Sequence, residues 1–529
     1  MNARRILLLA VLLGLIVARA YGAPPAKVAL KGGRIIPVVG QEIPNGTLLM
    51  EQGKITAVGA DVKIPYDAMV VDVSGKVLFP GLIEPHSSSG MDRANENLPV
   101  APYLDVYDAI DPSSQYFEDA LRDGVLAIHV IQGNNCVIGG LSRLLHPIGL
   151  TPDEMTIRPS IALKLSTSPK SGFDRMTQMA TLREAFLDLE DYLQRLAEQR
   201  YEAKVKEEGP GARGEGPGAK GEGRGAGGEA QQIDVPPEEA AKRGRELIRD
   251  EHLDDRHRNL VKLKDGRLAA WIYCDAATDV GPAVQTAKEN GFLQRTVLVL
   301  GTEAYRAVEE LKQAGRPGTP WVVLSPELVH QERDPITGEL RETFVPKVIH
   351  EAGLAFALQP NPNASLAERY LTYQAARCVR HGIPREAALR AITLNPARML
   401  GVEGRLGSLE VGKAGYVLIL SGDPLDFNSW VEKAYIDGVL AYDRAKDVRL
   451  KELLGLEEKL AKKKEEAKKP DAEQKKEDGE KDKKKPDDEQ KKEDGEKDEK
   501  KPDVDHKKKE EEKDKKKPDA EQKKQEENR

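Results

Sequence analysis

Between residues 79 and 400 one alternation repeats: a short, continuously apolar run, then a segment whose apolar residues recur every three to four positions. The runs are Val125–Ile131, Ala269–Tyr273, Thr296–Leu300, Trp321–Leu324 and Leu354–Leu358. Apolar residues at successive positions suit strands covered on both faces, the condition of a parallel sheet. Between runs, Ala304, Ala307, Val308 and Leu311 fall at i, i+3, i+4 and i+7, one stripe of a helix. A longer helix is predicted from Thr181, where Glu184 completes a capping box and Leu182, Ala185, Phe186, Leu189, Leu193 and Leu196 share a face. The last helix runs from Pro384 to Leu394, and a short one follows to Leu400, stopped at Gly401. Parallel neighbours need a crossover, usually a helix, so the alternation predicts an α/β fold with a (β/α)8 TIM-type barrel over residues 79–400.

The flanks read differently. Residues 27–78 hold short β-rich runs punctuated by Gly32-Gly33, Gln52-Gly53 and Ser74-Gly75. Residues 405–445 hold two more, around Tyr416–Leu420 and Val439–Tyr442. Either half alone has a thin core and open edges, so the two are expected to join as one composite β-sandwich. Residues 207–240 are mostly Gly, Pro, Glu, Lys, Arg and Ala, with little to bury, and read as a disordered insertion within the barrel. Residues 451–529 carry 28 Lys/Arg and 29 Asp/Glu and no Phe, Tyr or Trp. Prolines at 470, 486, 502 and 518 give that tail a 16-residue repeat. Glu/Lys pairs at i,i+4 favour helix there and the prolines break it, so it reads as a disordered, well-mixed polyampholyte.

At the other end, Arg4-Arg5, the 12-residue apolar run Ile6–Val17 and Ala18-Arg19-Ala20 have the layout of a cleaved signal peptide over residues 1–20. That places the chain as exported, periplasmic or extracellular. The run is too short for a stable membrane span, which needs about 20 residues. Three cysteines, Cys136, Cys274 and Cys378, are too few for a disulfide framework and are expected as buried thiols. Neither the globular part nor the tail is basic enough for nucleic-acid binding.

The chemistry starts at Val77-Leu78-Phe79-Pro80-Gly81-Leu82-Ile83-Glu84-Pro85-His86-Ser87-Ser88. An apolar strand that ends in a histidine is how a barrel presents a ligand at its mouth. This stretch resembles the opening signature of the amidohydrolase superfamily, Pro-Gly-Leu-Ile-Asp-x-His-x-His. So do Asn135–Gly140, Gly301-Thr302-Glu303-Ala304-Tyr305, Ala388–Ala397, Gly407-Ser408-Leu409-Glu410-Val411-Gly412-Lys413 and Ser421-Gly422-Asp423-Pro424-Leu425. Over roughly residues 27–445 the resemblance is nearest the imidazolonepropionase-like branch.

The resemblance implies a barrel mouth holding one or two divalent metals. Their ligands are a histidine pair after strand one, histidines after strands five and six and an aspartate after strand eight. Some members add a carboxylated lysine or a glutamate after strand four. Carried over residue by residue, His86 is the only retained ligand position. Ser88 replaces the second histidine, Tyr273 and Asp275 stand at strand five, Leu300 at strand six and Asn361 at strand eight. One imidazole does not hold a catalytic zinc, which takes about three protein ligands, so no cofactor is predicted. A site rebuilt from His86, Cys274, Asp275 and His350 is the exception to weigh. His252 and His257, five apart in a charged run, do not stack on one helix face, and no nucleophile elbow or Walker loop is present.

The leading expectation is a degenerate member that has lost metal hydrolysis and binds a small molecule in the barrel mouth. One alternative is an active hydrolase of non-peptide C–N bonds, of cyclic-amide type, with a substituted zinc-like site. Another is an envelope scaffold that works through its charged tail, whose partner is unknown. The family resemblance also allows a homodimer.

Overall fold

The computed structural model describes residues 27–208, 236–314, 321–361, 364, 369–452, 454, 455, 459 and 462. The signal peptide expected over 1–20 lies outside the described residues. So do nearly all of the tail repeat and positions 209–235 of the predicted insertion.

The chain opens with β1 (Lys27–Ile35), β2 (Ile43–Glu51), β3 (Lys54–Gly59), β4 (Met69–Asp72) and β5 (Val77–Pro80). The central part follows: β6 (Leu82–Ser87), α1 (Gln115–Arg122), β7 (Val125–Val130), β8 (Ile138–Leu141), β9 (Arg143–Leu145), β10 (Thr156–Arg158) and β11 (Ala162–Ser166). Next come α2 (Arg175–Glu208), α3 (Pro237–Arg245), α4 (Asp255–Lys264), β12 (Ala269–Cys274), α5 (Ala277–Glu289), β13 (Thr296–Leu300) and α6 (Val308–Gln313). After these lie β14 (Val322–Val323), the hairpin β15 (Val329–Arg333) and β16 (Leu340–Phe344), α7 (Val345–Glu351), β17 (Phe356–Ala357) and α8 (Leu371–Arg380). The chain then runs through α9 (Arg385–Ala391), α10 (Leu394–Met399), β18 (Val417–Leu420), β19 (Val431–Ile436) and β20 (Val439–Asp443). Among the described residues no helix is long and apolar enough to cross a membrane.

The first and last strands build one eight-stranded sheet in the order β20-β19-β18-β5-β1-β2-β3, with β4 also on β1. The seam between the two sequence-distant halves is the antiparallel pair β18–β5, from Val417↔Pro80 to Leu420↔Val77. The sheet is a single hydrogen-bonded unit, and β2 and β3 share one small core with β18 and β19. Its branch point is β1, whose first half pairs β4 (Val28↔Met69 to Lys31↔Asp72) and whose end pairs β5 (Arg34↔Val77, Ile35↔Leu78). Gly32 sits between them at φ +87°, where a Cβ would stand 2.6 Å from the Ser74 hydroxyl. Only glycine takes that conformation at no steric cost, so the Gly32-Gly33 pair lets one strand serve two partners. All four residues of β18 are buried. Val417 and Ile419 enter a small core with Leu30, Leu48, Met50 and Leu78, whereas Leu418 and Leu420 enter the large central core. Each leucine so buried contributes about 1.5–3 kcal/mol.

The central strands are mainly parallel, and their ladders form two open sheets instead of a closed barrel. One is β10-β9-β7-β6 and the other β17-β14-β13-β12-β11-β8. The physical reason lies at residues 138–145. That segment runs antiparallel to both neighbours, β8 against β11 and β9 against β7. No crossover helix returns the chain between β7 and β11; only a four-residue turn of helix at Pro152–Met155 lies there. Ser142, between β8 and β9, spans the two sheets: its hydroxyl contacts the His129 ring at 2.7 Å and accepts from the Ala162 N–H at 3.1 Å. At the opposite end, β6 and β17 are the last strands of their two sheets, and no ladder joins one to the other. Instead the Ile83 N–H donates to the Ile392 carbonyl and the Leu358 N–H to Ala391.

Two helix boundaries differ from expectation. The helix predicted from Thr181 begins at Arg175, and Asp174 accepts the Thr177 N–H at 2.7 Å, so the cap is an aspartate seven residues upstream. Of the residues 207–240 expected as an insertion, 207 and 208 belong to α2 and 237–240 to α3. The three cysteines are free and buried.

Candidate functional site at the mouth of the central strands

Parallel strands open their ligand-bearing ends at the carboxyl edge. At that edge lies a cavity of about 700 Å³ lined by Asn134, Tyr273, Asp275, Leu300, Gly301, Thr302, Ser325–Val329, Gln331, Gln359 and Arg377. Gly301 lets β12 and β13 end side by side, because a Cβ there would collide with the Asp275 backbone.

His86 ends β6 as a buried ring, and its two nitrogens have different partners. Nε2 lies 3.0 Å from Lys164 Nζ and Nδ1 lies 3.2 Å from Gln359 Oε1. Lys164 projects from the middle of β11 with no exposed surface. Its ammonium also donates to Asn134 Oδ1 at 2.7 Å and stands 5.7 Å from the centre of the Tyr273 ring. An ammonium can only donate, so His86 Nε2 accepts, and its Nδ1–H donates to Gln359. The Gln359 amide nitrogen in turn donates to the Leu324 carbonyl at 2.9 Å. One tautomer satisfies the whole chain of bonds.

The electrostatics follow from that geometry. Burial holds His86 well below the usual imidazole pKa, and the neighbouring Lys164 charge lowers it further. Burial brings Lys164 down to about 8, and no carboxylate lies near enough to oppose it. Lys164 is therefore mostly charged at pH 7, next to a neutral histidine. Behind them, His129 contacts the Pro85 carbonyl and the Ser142 hydroxyl, each at 2.7 Å, and burial brings it to about 3. Its ring packs on Trp271, 4.4 Å between centroids.

A second buried polar knot sits on the same strand. Tyr116, from α1, donates to Glu84 at 2.6 Å and lies 2.8 Å from the Ser87 hydroxyl. Burial raises Glu84 to about 7, and the hydrogen bonds from Tyr116 and Ser87 oppose only part of that.

Several residues singled out in the sequence share the mouth. Tyr273, Asp275 and Leu300 line the cavity. Asp275 is exposed and accepts from the Tyr273 hydroxyl at 2.8 Å. Ser88 is half-buried just beyond β6. Asn361 lies two residues past the side chain that reaches His86: it donates to Glu327 at 3.4 Å, and Gln359 holds the inner place. Cys274 points to Thr167 and Asp279, and His350 sits in α7, so neither joins His86. His257 is held between Asp254 and Asp188, at 2.8 and 3.0 Å.

Lys164 and Gln359 were not foreseen. The signal for the first was a lysine inside Ala162-Leu163-Lys164-Leu165, one charge in an otherwise apolar strand. With β12 as strand five, β11 is the fourth strand, the place where the family resemblance allows a carboxylated lysine.

These donors do not fit a divalent metal. The ammonium takes the His86 lone pair a metal would need, and the remaining neighbours, Gln359 and Asn134, are neutral amides, weak ligands beside imidazole and carboxylate. Among the described residues no three His, Cys, Asp or Glu side chains converge as a metal-binding group.

No family model matches the chain. Among curated proteins it is similar to amidohydrolase tasK of Hapsidospora irregularis, 23% identical over 422 residues, covering 75% of this chain. The chain spans only 40% of that relative's length. It is also similar to the imidazolonepropionase of Symbiobacterium thermophilum, 25% identical over 411 residues, 72% of this chain and 84% of the relative. Among solved structures, an amidohydrolase from Thermotoga maritima superposes with a TM-score of 0.60 at 24% identity, covering 79% of this chain and all of the other. That likeness gives a shared mixed α/β fold. With the signature around His86 and these relatives, the chain is related to the amidohydrolase superfamily on its imidazolonepropionase-like side.

Proposed function

We propose that this chain is a degenerate amidohydrolase: it keeps the mouth cavity for a small molecule and has replaced the metal centre by an internal cation. The observation that carries this reading is Lys164 Nζ at 3.0 Å from His86 Nε2. A tethered ammonium there neutralises the need for a metal and blocks its approach to the one retained imidazole. Without a metal nothing lowers the pKa of an attacking water toward 7. The other substitutions point the same way, since Leu300 and the amide of Gln359 can neither ligate well nor shuttle a proton at neutral pH. In this reading the central strands work as a TIM-type barrel whose closure runs through the Ile83–Ile392 and Leu358–Ala391 bonds. The protein is exported by its first 20 residues.

The test is elemental analysis of the full chain purified without chelator, before and after incubation with zinc and manganese. The expected result is well under one equivalent of either metal in the wild type, and metal uptake unchanged in His86→Ala. One equivalent of metal per chain, lost in His86→Ala together with hydrolysis of a cyclic amide, would establish the working hydrolase instead.

A further inference from the structure

The hairpin β15–β16 stands at the mouth cavity and belongs to none of the sheets beneath it. Its strands pair only with each other, from Val329↔Phe344 to Arg333↔Leu340, on the path from β14 to α7. Val329 and Gln331 form part of the cavity wall, and residues 325–328, which lead into the hairpin, form another part. An isolated two-stranded hairpin is at best marginally stable in water, so its internal bonds and its attachments decide how it behaves.

The internal bonds make the arm stiff. Gln331 donates to Glu342 across the strands at 2.9 Å, and Arg341 meets Asp334 at 3.0 Å. At the tip, Asp334 accepts from the Ile336 and Thr337 N–H groups at 2.8 and 2.9 Å, and Arg333 donates to the Gly338 carbonyl at 2.9 Å. An arm bonded in this way moves as one piece.

The attachments differ along its length. At the root, the Val345 N–H donates to the Leu328 carbonyl at 2.9 Å, and both residues are buried. The Phe344 ring stacks there on His381, just past α8, with 3.8 Å between centroids. Farther out, residues 331–342 are exposed apart from the half-buried Asp334. Among the described residues, the polar side-chain contacts that hold the arm to the body go to one element, the turn Thr302–Ala307 after β13. Glu332 meets Arg306 at 2.6 Å, His330 Nδ1 lies 3.1 Å from the Thr302 hydroxyl, and the His330 ring lies 5.6 Å from Tyr305. Both members of that ion pair are open to solvent, where water and salt screen the attraction. The root is fixed, and the outer hold is weak and reversible. Segments held by exposed polar contacts instead of buried apolar ones open at low cost, and arms of this kind beside a binding cavity gate it.

We propose that β15–β16 is a hinged lid on the mouth cavity. It turns about Leu328, Phe344 and Val345, and the Glu332–Arg306 and His330–Thr302 contacts are the latch that keeps it down. This rests on the small-molecule reading above and adds how the molecule is admitted.

The test reads the lid without a ligand. On the full chain, Ser325→Cys puts a thiol in the cavity wall, while the three native thiols are buried. Its alkylation is followed by peptide mass mapping with a small reagent, iodoacetamide, and a bulky one, a maleimide carried on polyethylene glycol. In the latch variant, Glu332→Gln with His330→Phe, the bulky reagent should react about tenfold faster, the combined scale of an exposed ion pair and a hydrogen bond, and iodoacetamide less than about twofold faster. In a second variant, with residues 331–342 replaced by Gly-Gly, the bulky reagent should react faster still. Equal bulky-reagent rates in all three proteins show an arm that does not cover the mouth. A rise in the cut arm alone shows a fixed wall, and a matching rise for iodoacetamide shows general loosening. Each of these overturns the lid. The latch variant alters only exposed and half-buried side chains, and its rate decides the matter if the cut arm does not fold. The measurement uses neither ligand nor metal, so a failed lid leaves the small-molecule reading standing, and the metal analysis tests the degenerate-enzyme reading separately.

Discussion

Glu84 on β6 and Lys164 on β11 are both fully buried and ionisable, and neither meets an opposite charge. Brought together they would cancel; the fold keeps them apart and gives each a different setting. Glu84 accepts from the Tyr116 hydroxyl, which in turn lies 2.8 Å from the Ser87 hydroxyl. Lys164 is held by a histidine and an asparagine, and that asparagine faces the cavity. A buried charge is costly unless it is paired. The acid can shed its charge where it stands, because it is raised to about 7. The base remains mostly charged at that pH and lies one side chain from an open cavity. The difference separates a group that can give up its charge from one that keeps it.

The two groups should act on stability in opposite pH windows. For Lys164 the folded value, about 8, lies below the usual 10.5, so the fold favours the neutral amine. Stability is then lowest below pH 8 and rises by about 3 kcal/mol between pH 8 and 10.5. Urea denaturation across that range should show the rise in the wild type and lose most of it in Lys164→Met, with the variant at least as stable at pH 7. An unchanged rise in the variant would remove Lys164 from the account.

For Glu84 the folded value, about 7, lies above the usual 4.5, so the protonated acid is favoured. Its contribution is best below pH 4.5 and declines by up to about 3 kcal/mol as pH rises to 7, superposed on the titration of other carboxylates. Glu84→Gln should flatten that decline relative to the wild type; parallel curves would contradict it. The smallest pair of effects sharpens the comparison further. Tyr116→Phe removes a hydrogen bond to a charged group and should cost about 2 kcal/mol at pH 8. Gln359→Met removes a neutral one from His86 and should cost about 1 kcal/mol. Denaturation midpoints in the same buffer would reverse that order if the histidine side carried the greater load.

Much of this was legible in the sequence, and the gaps have causes. Runs such as Thr296–Leu300 and Leu354–Leu358 announced strands buried on both faces, and β13 and β17 lie within them. The joining of residues 27–78 with 405–445 followed from two halves too thin to stand alone. The antiparallel passage at 138–145 did not follow, although the lack of an amphipathic helix between Val130 and Ala162 argued against a parallel crossover there. At the site, His86 stood out because it ends an apolar strand next to a Pro-Gly turn. Lys164 did not, since lysine is almost never fully buried and reads as a break in a strand. At strand eight the pattern pointed to Asn361, whereas the side chain that reaches His86 is Gln359, two residues earlier; short strand ends carry too little pattern to fix a register.

The seam between β5 and β18 has a consequence for how the molecule is made. From Pro80 to Val417 is a span of 337 residues (417 minus 80). At translation rates of roughly 5–20 residues per second, the first five strands leave the ribosome on the order of tens of seconds before their partner exists. Through that interval the nascent edge of β5 carries Val77, Leu78 and Phe79 without the strand that later covers it, an edge open to self-association.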